Sequence, residues 1–174
     1  MTFIVSGTSG LTFPDTTTQS TSTIATSSSS VPTNGMYVPT TNNVAIATNT
    51  TLAVTFDSSQ SMNLSGSYTE AVVSNGTVTT TKTLSLASGT FQTVTLTAST
   101  ACTFTMPTAT NGKSFILIVN QAAVTGGGTA TFTSVDWGGA GAPTITSTAG
   151  KMDILSFVAN NSKWYGTYSQ GFTA

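Results

Sequence analysis

The run Ser114-Phe115-Ile116-Leu117-Ile118-Val119-Asn120 decides the fold class of this chain, because it holds the longest apolar stretch in the sequence. Five consecutive apolar residues have the length of a β-strand, and their lack of alternation predicts a central strand covered on both faces. The stretch is far shorter than the roughly 18 apolar residues that a membrane-spanning helix needs. We therefore predict a buried strand here and no membrane insertion.

Short β-rich runs surround this strand on both sides. Gly, Pro and Asn punctuate them, and no segment shows a sustained helical period, which is typical of all-β proteins. Residues 152–159 and 163–168 predict a last hairpin, with residues 160–162 as its turn. Residues 75–174 together predict about eight strands in about 100 residues, the number expected of a β-sandwich or jelly-roll-like domain. The run Gly126-Gly127-Gly128 predicts a turn or a flexible tip.

Two segments of different character precede that domain. Residues 1–35 are rich in Thr and Ser, and such a tract cannot bury enough apolar area to offset its ordering entropy alone. We interpret them as an extended N-terminal arm, either a flexible linker or a strap across a partner subunit. Residues 36–74 predict very short strands, a shaft-like segment in which neighbouring chains complete each other's sheet. The apolar residues predicted to anchor the arm or to contact another subunit are Phe3, Ile4, Leu11, Phe13 and Ile24.

Charged side chains are scarce throughout the 174 residues. They make up 5% of the chain, against about 25% in an average globular domain, and the net charge is −1. Thr and Ser supply roughly a third of the residues, so hydroxyls replace charges on the exposed faces of strands. A net charge near zero favours self-association, which suits a subunit of a fixed assembly. Four scattered lysines cannot neutralise a phosphate track, so we expect no nucleic-acid partner.

The residues that usually carry catalysis or bind metals are missing. The chain has no His, and its one cysteine, Cys102, lies in a strand-like run where it is expected to be a small buried hydrophobe. A glycan hydrolase would need paired carboxylates, for which the candidates are Asp136 and Asp153. Asp136 is better explained as a turn residue, and Asp153 as the start of a strand, partnered with Lys151 or Lys163. We therefore expect a protein that is not an enzyme, with no cofactor and no metal site.

Aromatic residues near the C terminus are the candidates for surface recognition. Alternation along a strand places Trp164 and Tyr165 on opposite faces, and we predict Trp164 to be in the core. Trp137 stands in a Gly-rich loop, where an amphipathic ring suits contact with a glycan or a protein but also suits folding back over the core. The residues predicted to take part in surface recognition are Trp137, Tyr165 and Tyr168.

Three segments, in order, resemble parts of tailed-bacteriophage fibre and virion proteins. Residues 11–21 (LTFPDTTTQST) are similar to a segment near the start of many phage fibre proteins, with Thr16 where Gly is usual. Residues 32–60 resemble a fibre-shaft pattern, although its usual Arg is replaced at Val54 or Thr55 and its Gly-rich ending is absent. Residues 89–174 look like a C-terminal β-domain common in phage structural proteins.

The resemblance implies a virion protein, most simply a homotrimer with an N-terminal arm that anchors it to the virion. The first expectation is a short tail-fibre-type adaptor or host-attachment protein. The alternative is a capsid decoration (cement) protein that stabilises the phage head, and a tailspike glycan hydrolase is a remote third. The expected partners are further copies of the chain, other capsid or tail proteins, and a glycan or protein of the host surface. The expected location is the virion, assembled in the bacterial host cytoplasm.

Overall fold

The computed structural model describes residues 30–174 throughout and, before them, only the backbone of β1 (Leu11–Thr12) and β2 (Thr18–Gln19), which pair antiparallel. Strands make up 50% of the chain and helix 2%, so the predicted all-β class is confirmed. Within these residues no helix is long and apolar enough to cross a membrane. The side chains of the predicted arm anchors, Phe3, Ile4, Leu11, Phe13 and Ile24, lie outside the described residues.

The chain divides into two compact units, residues 1–69 and residues 70–174. The described part of the N-terminal unit contains an antiparallel four-stranded meander in the order β3-β4-β5-β6. Its hydrophobic cluster is small: Tyr37, Ala45 and Ala47 are buried, with Leu52 packed against them. The four strands are β3 (Gly35–Tyr37), β4 (Val44–Thr48), β5 (Thr51–Phe56) and β6 (Met62–Leu64).

The C-terminal unit contains nine strands and one short 3-10 turn at Gly138–Ala140. Its first strand includes residue 75, the position at which the sequence predicted a domain to begin. The strands are β7 (Val72–Val78), β8 (Thr81–Thr83), β9 (Phe91–Leu96), β10 (Ala101–Thr105), β11 (Ser114–Asn120), β12 (Thr129–Phe132), β13 (Val135–Asp136), β14 (Lys151–Asn160) and β15 (Lys163–Thr173).

Successive strands of this unit alternate between two sheets. β7, β9 and β11 run parallel in one sheet, while β8, β10 and β12 run parallel in the other, so the chain winds through both sheets in successive coils. The β14–β15 hairpin then joins the first sheet, giving the order β13-β15-β14-β11-β9-β7. This winding resembles a β-solenoid and is not clearly the predicted jelly-roll sandwich, because jelly rolls are built from antiparallel strands.

The core lies on the inner face of the six-stranded sheet. Phe115, Leu117 and Val119 of β11 are buried there, whereas Ile116 and Ile118 point to the other side and are only partly buried. The prediction that this strand is covered on both faces was therefore wrong, although β11 is an internal strand of the sheet. The predicted last hairpin is confirmed, since β14 pairs antiparallel with β15.

Three buried polar side chains tie loops to this core. The amide of Gln92 donates to the carbonyls of Ser85 and Gly89. Gln121 exchanges two hydrogen bonds with the backbone of Gly128. The third side chain is Asp153, whose carboxylate accepts only N–H donors. No buried side-chain nitrogen or oxygen in the described part of the chain lacks a partner, as expected when polar groups are taken out of water.

The Gly126-Gly127-Gly128 run is a close crossing of two backbone segments and not a free tip. A Cβ on Gly126 would lie 2.0 Å from the carbonyl oxygen of Ser147. The Gly127 N–H donates to that same oxygen at 2.7 Å, and the Gly126 carbonyl accepts from the Ser99 N–H at 3.0 Å. Glycine is needed here for close approach, a requirement that composition alone does not distinguish from a flexible loop.

Candidate functional site

The side of the six-stranded sheet that faces away from the core is the first candidate surface, and we call it the outer face. Its residues form rows in register across β7, β9, β11, β14 and β15. One row is Val72, Phe91, Ile116, Ser156 and Thr167; the next is Ser74, Thr93, Ile118, Ile154 and Ser169; the third is Thr77, Thr95, Asn120, Met152 and Phe172.

None of the side chains in these rows ionises at neutral pH. Val72 is 58% exposed and Phe172 is 41% exposed, while the other apolar side chains of the rows are partly buried. Apolar side chains are interspersed in these rows with Ser, Thr and Asn. Exposed apolar side chains grouped in this way mark contact surfaces. The sequence predicted strands in this region but not this surface, because the parallel neighbour of β11 is distant in sequence.

A second candidate surface is a cleft of about 730 Å³ at one end of the C-terminal unit, which we call the Trp137 cleft. Its lining comes from residues 106–109, 134–138, 141–142 and 162–164. The parallel pairing of β13 with β15 places Val135 opposite Trp164 and so brings these loops together. The β14–β15 turn, with left-handed φ at Asn161 (48°) and Ser162 (57°), delivers Lys163 to its rim.

Trp137 is held firmly in the cleft wall. Its ring meets those of Phe132, Phe157 and Tyr168 edge-on, with centroids 5.6 to 6.0 Å apart. Its benzo edge rests on Gly166, where a Cβ would lie 2.5 Å from Trp137 Cζ3. The ring of Trp137 therefore packs over the core, one of the two alternatives that the sequence left open, and it also lines the cleft.

The other aromatic residues separate clearly. Trp164 is 1% exposed, and its indole N–H donates to the Pro107 carbonyl at 2.7 Å, so its prediction as a core residue is confirmed. Tyr168 is on the same face of β15 and contacts Trp137. Tyr165 is on the opposite face and is 36% exposed. The structure therefore brings Trp137 and Tyr168 together and leaves Tyr165 beside the outer face.

The two candidate carboxylates lie in different surroundings. Asp136 is exposed at the cleft, and its Oδ1 accepts the Gly138 N–H at 3.0 Å. Asp153 has no exposed surface, and its partners are the Thr146 and Gly171 N–H groups and the Gln170 amide. The predicted pairing of Asp153 with Lys151 or Lys163 was wrong, because a bulge in β15 aims the Gly171 N–H and the Gln170 side-chain amide at this carboxylate. Lys151 instead donates to Thr173.

Cys102 is buried beside Ala130 of the neighbouring strand and is 2% exposed. Burial raises the pKa of its thiol above the ordinary value, because the thiolate would be poorly solvated. The neutral thiol acts as a core side chain, as the sequence predicted. Among the described residues no three His, Cys, Asp or Glu side chains are grouped to hold a metal ion.

Comparison of the chain with protein-family models, curated proteins and solved structures gives no match. The functional inferences below therefore depend on the residues and geometry of this chain and on the sequence resemblance described above.

Proposed function

We propose that this chain is a non-enzymatic structural protein of a tailed-bacteriophage virion, a short trimeric tail-fibre-type adaptor or host-attachment protein. The sequence resemblance of residues 11–21 and 32–60 to phage fibre segments is the reason for placing it in a virion. The observation that carries its structural role is the outer face, whose three rows mix apolar side chains with Ser, Thr and Asn and contain no charged side chain, in a chain of net charge −1. We assign further copies of the chain as its covering partner, because the apolar side chains of two such faces can bury against each other while their hydroxyls both donate and accept hydrogen bonds.

The size of the outer face indicates that it does not act alone. Five strands about 4.8 Å apart, each contributing about six residues at about 3.3 Å, give a flat area of about 500 Å². A stable interface buries about 800 Å² on each partner. Residues 1–69 would supply the rest, as an arm anchored on the virion and as short strands shared between subunits.

The meander of the N-terminal unit supports the proposal that short strands of residues 1–69 are shared between subunits. Met36, Phe56, Met62 and Leu64 of these strands are each more than 40% exposed, while the buried cluster contains only Tyr37, Ala45 and Ala47 in the described residues. Strands this short with so small a core need further partners to be stable. In the same proposal, the C-terminal unit is a sandwich-like domain that projects from the particle.

Labelling of purified particles tests the function. Antibody against the C-terminal unit is expected to decorate the tail, with a few dozen copies or fewer per particle by quantitative mass spectrometry. Hundreds of copies on the head would instead favour the decoration protein, which would use the same outer face to clamp capsid subunits.

Deletion of residues 1–30 is expected to abolish incorporation into particles while the C-terminal unit stays folded. Particles that contain no copies of the chain would contradict both assignments.

A further inference from the structure

We infer that the Trp137 cleft binds an uncharged saccharide. This inference rests on the proposed attachment role for its biological purpose, but its chemistry comes from the cleft itself. The volume of about 730 Å³ lies within the roughly 300 to 1,000 Å³ of small-ligand sites. It can therefore accommodate a few sugar units while remaining open to the rest of a chain.

The indole of Trp137 supplies the apolar wall and one directed donor. Its N–H makes no hydrogen bond to the described residues. Every buried side-chain nitrogen in that part of the chain has a partner, so the Trp137 N–H is not buried and solvent reaches it. The Trp164 N–H, by contrast, is already used. Because Phe132, Phe157 and Gly166 hold the Trp137 ring in place, a ligand would not have to order it on binding.

Hydrogen-bond donors and acceptors line the cleft around the Trp137 ring. Asp136 keeps Oδ2 as an acceptor without a partner in the described part of the chain, and the Lys163 amine likewise has no partner there. The hydroxyls of Thr108, Ser134 and Ser162 also line the cleft, and each hydroxyl can donate and accept. Sugar rings need this combination, since they present a C–H face for an aromatic wall and hydroxyls along their edges.

The charges decide which saccharide fits. One carboxylate and one ammonium group cancel, so the cleft selects neither a strongly anionic nor a cationic ligand. A single lysine cannot hold a nucleic-acid backbone. An extended peptide would add itself to the free edge of β13, but that strand is only two residues long, Val135–Asp136, which offers too few backbone groups for strand addition.

The test is equilibrium binding of the full chain to a panel of neutral and anionic oligosaccharides, measured by isothermal titration calorimetry. The sugar concentration should reach about 10 mM, which is tenfold above a sugar dissociation constant of about 1 mM. At least one neutral oligosaccharide is expected to bind saturably. Asp136→Asn and Lys163→Gln, both exposed positions, should weaken it about tenfold or more, as expected for a lost charge-assisted hydrogen bond. Trp137→Phe keeps a ring among its neighbours but removes the donor, and should weaken binding as well.

Lys113→Gln is the matched control, because it removes the same charge from an exposed lysine outside the cleft. The affinity of this variant for the neutral oligosaccharide should equal that of the unchanged chain. Binding only of anionic sugars, binding that survives all three cleft substitutions, or no binding across the panel would each overturn the inference. Particle incorporation separates it from the proposed function: Asp136→Asn should enter particles normally. A chain that binds sugar but is absent from particles would leave this site standing and remove the virion role.

Discussion

Replacing Asp153 with Ala is expected to destabilise the C-terminal unit by about 3 kcal/mol, because three partly buried N–H donors would lose their charged acceptor. The Asp153 carboxylate accepts the Thr146 N–H at 2.7 Å, the Gly171 N–H at 2.9 Å and the Gln170 amide at 3.1 Å. It thereby fixes the bulge in β15 to the segment before β14. Chemical unfolding followed by tryptophan fluorescence measures the loss, since both tryptophans of the chain lie in this unit.

Two further variants make this result specific. Asp153→Asn keeps one acceptor oxygen but turns an NH₂ group towards a backbone donor, so its loss should be intermediate. Asp136→Ala removes an exposed carboxylate from the same unit and should change stability by about 0.5 kcal/mol or less. If the free energy of unfolding of Asp153→Ala lies within about 1 kcal/mol of that of the original chain, the carboxylate does not hold this bulge in place.

Replacing Gly126 with Ala is expected to cost about 2 to 3 kcal/mol, because the added Cβ meets backbone that cannot rotate away. It would lie 2.0 Å from the Ser147 oxygen and 2.6 Å from the Ala149 nitrogen. The two segments would have to separate, breaking the hydrogen bond from the Gly127 N–H to the Ser147 carbonyl. The same unfolding measurement detects it.

Gly139→Ala is the control for that substitution. Gly139 has no atom within 4 Å of an added Cβ and no left-handed φ, so we expect a change of about 0.5 kcal/mol or less. Equal stability of the two alanine variants would show that the Gly126 crossing opens at little cost. A loss confined to Gly126→Ala would identify close approach as the reason for this glycine.

The sequence predicted the strands better than their partners. The apolar run at residues 115–119 indicated an internal strand but not which of its side chains face the core, and residues 160–162 indicated the last turn. Local patterns do not say that β9 is the parallel neighbour of β11 while β10 lies in another sheet, because both arrangements need the same alternation. For that reason the winding of the C-terminal unit and the outer face were not foreseen.

The sequence predicted only some residues of the Trp137 cleft, because strand pairing brings the others to it. Trp137 was chosen from its Gly-rich loop and its amphipathic ring, and Tyr168 from its place in an aromatic group. Lys163 was not chosen as a site residue, because only the pairing of β13 with β15 brings it near Asp136. Asp153 carried a usable signal, since a carboxylate inside an otherwise apolar strand needs buried donors.

The central claim is that copies of this chain cover each other's outer faces, and the molecular mass in solution tests it most directly. Sedimentation equilibrium of the full chain at micromolar concentration is expected to give three times the chain mass of 17.7 kDa. Ile116→Asp, which places a charge on the middle strand of the outer face, should shift the mass towards that of a single chain without unfolding the C-terminal unit. A single-chain mass for the unchanged protein, or a trimer that Ile116→Asp leaves intact, would contradict the claim.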